Sequence, residues 1–174
     1  MHPIEKYIRS VPDFPKEGII FRDITTIVQS PEGFQIAIDG LEELVKDIDF
    51  NKIVVLESRG FLFGAPMARD LKKSVVLVRK KGKLPFEKIA QDYELEYGTA
   101  TFEVHTDSIE KGDKVVIVDD LLATGGSIKA AAKLVEKLGG QVMDCISIIE
   151  LKGLNGREEL EGYRVDSVIA FDGK

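Results

Sequence analysis

Two adjacent acids followed by a run of small residues are the groups in this chain whose types and spacing best suit chemistry. They lie in "VVIVDDLLATGGSIKAA", where Asp119 and Asp120 precede Ala123, Thr124, Gly125, Gly126 and Ser127. Small residues let backbone N–H groups close around an anion, and a helix starting near Gly126 adds the positive end of its dipole. Thr124 and Ser127 add hydroxyl donors. Two carboxylates beside a phosphate would repel it unless they face neutral hydroxyls, as acceptors for the vicinal diol of a ribose. A sugar 5-phosphate fits both halves, with phosphate on the loop and hydroxyls on the acids. The plainer reading is a strand–turn–helix with acids at its mouth. Acids, glycines and hydroxyls nevertheless coincide where α/β sheets bind ligands. Neither the lysine-bearing nucleotide loop nor a G-x-G-x-x-G dinucleotide turn is present.

Other candidates stand apart in sequence. "RKKGK", from Arg79 to Lys83, puts four cations in five residues of an otherwise acidic chain. It reads either as a solvated loop or as a seat for a small polyanion. Arg59, in "ESRGF", is either a structural salt-bridge partner or an anion ligand, and Gly60 and the strand-end position favour the anion. The single cysteine, Cys145, lies in a strand-like run and reads as core rather than nucleophile. Neither histidine has a clear role.

The elements that must position these groups follow from hydrophobic periodicity. Phe34, Ile38, Leu41, Val45 and Ile48 recur at steps of four and three, which predicts a helix from Pro31 to about Asp47. Residues 4–9 suit a short helix and 18–25 a short extended piece. Strands are expected at 52–57, 74–80, 98–105 and in "DKVVIVDD", "VMDCISIIEL" and "VDSVIAF". Helices are expected in "GFLFGAPMARDL", despite Pro66, and in "SIKAAAKLVEKLGG", with Gly139 and Gly140 as its stop. Residues 81–97 read as polar and irregular, and a loop that long is usually functional or mobile. The pattern implies one α/β domain with a mainly parallel sheet flanked by helices. A chain of 174 residues, 44% hydrophobic, suffices for one core. A net charge of −6 argues against non-specific nucleic-acid binding. No apolar stretch is long enough for a membrane span, and the first fifteen residues lack the centre of a secretory signal. A cytoplasmic protein with no nucleic-acid or membrane partner is expected.

"VVIVDDLLATGGS" resembles the phosphoribosyl-pyrophosphate (PRPP) motif of the type I phosphoribosyltransferases. "SVPDFPKEGIIFRDIT", "ESRGFLFGAPMA", "RKKGKLP" and "LEYGTA" resemble the adenine-using members of that family in order and spacing. The resemblance covers nearly the whole chain. It implies the type I fold over residues 1–174, with a small base-binding hood at about 1–30 and a mobile catalytic loop at about 80–97. The implied reaction converts adenine and PRPP to AMP and diphosphate, in a homodimer, with Mg2+ carried on PRPP.

The resemblance also implies roles. Arg59 and Ser58, with Arg79 and Lys83, would hold the diphosphate, and the Glu57–Ser58 peptide would be cis. An arginine at the place of Arg79 would reach the neighbouring subunit's site. Asp119 and Asp120 would bind ribose hydroxyls rather than serve as certain metal ligands, and Ala123 to Ser127 would hold the 5-phosphate. Glu96 would handle the proton at purine N7, and Tyr97 would cover the closed site. Phe21 would stack on adenine, while the backbones at Ile20 and Arg22 would bond its amino edge. Taken alone, Glu96 is one of several loop acids and Phe21 suits a core equally well. Members acting on 6-oxopurines typically carry an aspartate where this chain has Ala123, so alanine points to adenine. Two rivals remain: a non-catalytic PRPP-binding regulator, and the same transfer to another base. The retained "ESRG", "RKKGKLP" and "LEYG" weigh against the first, and "IIFRDIT" with Ala123 against the second.

Overall fold

The computed structural model describes residues 2–95 and 98–173. A 3-10 helix, Pro3–Tyr7, leads into an antiparallel pair, β1 (Arg9–Pro12) and β2 (Ile20–Asp23), and a single helical turn, α1 (Thr25–Val28). Helix α2 (Pro31–Val45) starts on a local signal: the Gly33 amide donates to Ser30 Oγ at 3.1 Å, and Pro31 occupies the first turn. There follow β3 (Lys52–Leu56), α3 (Gly60–Leu71), β4 (Ser74–Lys80), β5 (Lys88–Glu94), β6 (Thr99–His105) and β7 (Lys114–Leu122). The chain ends with α4 (Gly126–Lys137), β8 (Gln141–Leu151), α5 (Gly156–Glu159) and β9 (Val165–Phe171).

The main sheet has the order β5-β6-β4-β3-β7-β8-β9. Its five strands from β4 to β9 are parallel, and β5–β6 is an antiparallel hairpin added to β4. The mainly parallel α/β sheet read from the sequence is therefore present. From β3 the chain winds through α3 to β4, and from β7 it winds through α4 to β8 on the other side. The winding reverses between β3 and β7, and ligands of such sheets bind beyond the strand ends at that reversal.

The apolar runs supply the driving force. Ile53 to Val55 and Val115 to Val118 are fully buried, each side chain contributing roughly 1.5–3 kcal/mol by leaving water. Helices α2 and α3 cover one face of the sheet, and Ile4, Ile8, Ile24 and Ile27 join that core, so the N-terminal segment is rooted in it. The other face packs against α4 through Ile128, Ala131 and Val135. Among the described residues no helix is long and apolar enough to cross a membrane.

Two segments differ from the sequence reading. Residues 88–94, expected to be irregular, form β5 and pair with β6 from Lys88↔His105 to Glu94↔Thr99. Lys, Gln, Asp and Glu fit strands poorly, but Ile89, Gln91 and Tyr93 alternate into half-buried positions. The strand expected to stop at the acids runs on to Leu122. Its neighbour β8, eleven residues long, carries the ladder as far as Leu122↔Glu150.

Candidate active site

The acid pair begins where one of its neighbouring strands ends. The β3–β7 ladder stops at Val55↔Val118, while β8 still supports the next residue through Asp119↔Ser147. The turn after β3 occupies the space so opened. Its Glu57–Ser58 peptide is cis, as the resemblance implied. Arg59 caps the start of α3, and its Nε lies 2.8 Å from Asp120 Oδ2, the guanidinium half exposed and the carboxylate buried. That oxygen receives no aligned hydrogen bond among the described residues, so the contact is an ion pair without a well-directed N–H. Gly60 permits the approach: a Cβ there would lie 2.9 Å from the Val118 carbonyl oxygen and 3.1 Å from Asp119 Oδ1.

Charge in this crevice is lower than two carboxylates suggest. Burial, followed by the adjoining Asp120 carboxylate, pushes the Asp119 carboxyl well above its ordinary range. The Asp120 amide donates to Asp119 Oδ1 at 2.9 Å. With Asp119 inclined to hold a proton and Asp120 paired with Arg59, an incoming anion meets less repulsion.

The loop turns into α4 through Gly125, at φ 85°, and no side chain caps the helix start. Its first amides are thus available to an anion. Thr124 is exposed and Ser127 half-buried. Thr124, Gly126 and Lys129 line a cavity of about 470 Å³ together with Tyr93, Glu94 and Leu95 from the hairpin. Burial, with a further contribution from Asp119, raises the Tyr93 phenol.

The cationic segment converges on Glu57. Arg79 Nε lies 3.3 Å from Glu57 Oε2, and the Lys80 amide donates to the same oxygen at 2.9 Å. Burial alone would raise the Glu57 carboxyl, but the Lys80 amide, Arg79 and Lys83 outweigh it and hold it below the ordinary range. In the hood, Phe21 meets Phe14 edge-on with centroids 5.3 Å apart. Arg22 donates to Ser10 Oγ and lies 4.0 Å from the Phe171 ring centroid, tying the hood to the end of β9.

The phosphoribosyl transferase domain family matches residues 23–172. The chain belongs to that family. It is 54% identical over 174 residues to the adenine phosphoribosyltransferase of Lachnoclostridium phytofermentans, covering all of both chains. Its structure superposes on that of the Thermoanaerobacter pseudethanolicus adenine phosphoribosyltransferase with a TM-score of 0.93, at 50% identity, covering 97% of this chain and 98% of that one. The Saccharomyces cerevisiae enzyme, solved with adenine and an imino-altritol bisphosphate, gives 0.89 at 42% identity, covering 95% and 96%. These findings agree with the expected enzyme class, a phosphoribosyltransferase of the type I fold.

In this phosphoribosyl transferase the structure brings Ser58, Arg59, Asp119, Asp120 and Ala123 to Ser127 to one end of the sheet. Arg79 joins them through Glu57, and Lys83 follows on the turn after β4, its amide donating to the Lys80 carbonyl. Ile20, Phe21 and Arg22 share one short strand, with Ile20 exposed and Phe21 half-buried. Glu96 and Tyr97 lie outside the described residues. Sequence reasoning passed over Glu57 and Tyr93 as participants, and it assigned nothing to residues 152–164. A carboxylate immediately before the arginine turn was the available signal for Glu57. Tyr93 gave none, because its strand was hidden.

Proposed function

We propose that this phosphoribosyl transferase is a purine salvage enzyme that converts adenine and PRPP to AMP and diphosphate. The observation that carries the reading is the meeting of acid pair, amide loop and Arg59 turn in one crevice at the winding reversal. The loop amides, Thr124 and Ser127 hold the 5-phosphate, and Asp119 and Asp120 accept from the ribose hydroxyls. As the bond from the anomeric carbon to diphosphate oxygen breaks, its electron pair leaves with diphosphate. Arg59, Ser58, Arg79 and Lys83 stabilise that charge. Purine N9 forms the new bond from the opposite face, and Glu96 manages the proton at N7. Phe21 stacks on the base, and the backbones of Ile20 and Arg22 pair with its amino edge. A base with the reverse donor pattern would leave buried groups unpaired. Tyr97 covers the closed site. Mg2+ is commonly held by one or two carboxylates plus substrate phosphates. Carried on PRPP and largely keeping its waters, the ion would neutralise charge on the diphosphate, while Asp119 and Asp120 serve the ribose.

The working unit is a cytoplasmic homodimer. Val75 and Leu77 share one face of β4 with Arg79 and are exposed, as is Leu62 on α3. An apolar strip leading to a cation suits a subunit contact that delivers Arg79 toward a second site. The deciding assay follows diphosphate release from PRPP and Mg2+ with adenine, hypoxanthine, guanine, xanthine or orotate. Turnover with adenine alone, abolished in Glu96→Gln and Arg59→Ala, is the expected result. Turnover with another base would discard the hood assignment, and PRPP binding without turnover on any base would leave a regulator.

A further inference from the structure

Behind the loop that holds the 5-phosphate in the reading above stands a turn with no part in that chemistry. Helix α5 follows Asn155, which is left-handed at φ 55°, and it begins with Gly156. The turn and the loop meet backbone to backbone. A Cβ on Gly156 would lie 2.4 Å from the Ala123 carbonyl oxygen, and one on Gly125 would lie 2.6 Å from the Gly156 carbonyl oxygen. Neither side tolerates a side chain, so the position of one fixes the other. The turn is anchored through the next residue. Arg157 Nε and Nη2 donate to the two oxygens of the buried Glu150, both at 2.7 Å, and Nη1 donates to the Val165 carbonyl at 2.6 Å. Ser167 Oγ donates to Glu150 Oε2 at 3.0 Å. Glu150 is the ladder partner of Leu122, the residue just before the loop. The far end of α5 is tied to the other side of the loop, where Lys129 on α4 pairs with Glu159 at 2.8 Å.

We propose that Arg157 is a positioning residue for PRPP: clamped by the Val165 carbonyl and by Glu150, which Ser167 in turn holds, it keeps Gly156 against Ala123 and Gly125 and so sets where the loop amides stand. A planar guanidinium suits this role because its fork satisfies both carboxylate oxygens and still spans to β9. The inference rests on assigning Ala123 to Ser127 to the 5-phosphate. A shift of about an ångström in a binding loop costs on the order of ten- to a hundred-fold, and the loss should fall on the phosphate-bearing substrate.

The test measures KM for PRPP and for adenine, ribose 5-phosphate binding by calorimetry, and thermal melting, all on the full chain with Mg2+. Gly156→Ala and Arg157→Met should weaken PRPP and ribose 5-phosphate by about ten-fold, with the adenine KM within about two-fold of the parent. Arg157→Lys should recover part of the loss. Folded variants with parental ribose 5-phosphate affinity, or with equal losses for both substrates, overturn the proposal. If Arg157→Met fails to melt cooperatively, Ser167→Ala, which removes one hydrogen bond of the clamp, decides by the same split. Thr124→Val and Ser127→Ala separate the two readings. If they leave ribose 5-phosphate binding unchanged, the loop assignment falls and the inference with it. If they weaken it while the clamp variants do not, the inference alone falls.

Discussion

Asp119 and Asp120 lie toward the C-terminal end of β7, whereas Asp144 and Asp166 lie near the starts of the adjacent β8 and β9. In both places burial and a second carboxylate raise an aspartate, and in both an arginine answers. Arg59 stands 2.8 Å from Asp120, and Arg164 stands 3.1 Å from Asp144 and 2.8 Å from Asp166. The difference is in what backbone faces each pair. Beside Asp119 the β3 ladder has ended, and a turn and an uncapped helix start follow. Asp144 is fully buried, paired with Val116 of β7 beside a register shift and one residue before the β9 ladder begins at Cys145↔Val165, and strand rather than a helix start follows it. Two carboxylates become a site only where the sheet stops and donors take its place.

That contrast breaks most visibly under isosteric neutralisation. Asp119→Asn and Asp120→Asn should each lower kcat/KM by about 100-fold, because a misoriented ribose loses both alignment and charge stabilisation. Asp144→Asn should leave kcat/KM within about two-fold, since it touches neither loop nor turn. Steady-state kinetics with PRPP and adenine measure all three. Equal effects at the two ends would mean that the acids act through the sheet rather than at the ligand.

A smaller effect reads the pairs through stability. Burial first, then Asp166, pushes the Asp144 carboxyl from 3.8 up to about 7, against the pull of Arg164. Between those values the folded chain keeps a proton that the unfolded chain has lost. Stability therefore falls as pH rises through this window and levels off above about pH 7. Glu150 runs the other way: Arg157 holds its carboxyl low, so its contribution is present above its ordinary value of 4.5 and is lost only in more acidic solution. Thermal melts across pH should show the falling slope in the parent and a flatter one in Asp144→Asn. Asp119 and Glu42, also raised, contribute to the remaining slope, which should shrink further in the Asp119→Asn, Asp144→Asn double variant.

The two ends were not equally legible in the sequence. The loop, the acids and the Arg59 turn could be read because their chemistry is local: small residues, hydroxyls and charges sit consecutively where a strand gives way to a helix. Asp144 and Asp166 are twenty-two positions apart and meet only through the β8–β9 register, Cys145↔Val165 and Ile146↔Asp166, which periodicity does not specify. The same holds for Arg157, whose partners Glu150 and Val165 belong to two strands. Strand β5 was invisible for a different reason. Its residues have little strand preference, and pairing with β6 and packing on α4 decide its conformation, as where Lys137 donates to Gln91 at 2.8 Å.

The smallest effect tests whether the ends are independent. Cys145, next to Asp144, is 1% exposed. Burial, then Asp144 and Glu136, push its thiol up to about 12. At pH 8 only about one molecule in ten thousand would carry the reactive thiolate, so alkylation of the native chain requires the start of β8 to open. Iodoacetamide labelling followed by mass spectrometry should be slow in the native chain and rapid after denaturation. In the proposed function, PRPP and ribose 5-phosphate occupy the other end of the sheet. If that end moves alone, the native labelling rate stays the same with and without ligand. A rate that drops on binding would show that loop ordering reaches across the β7–β8 ladder. Local opening near Cys145 would then belong to the same cooperative unit as the site.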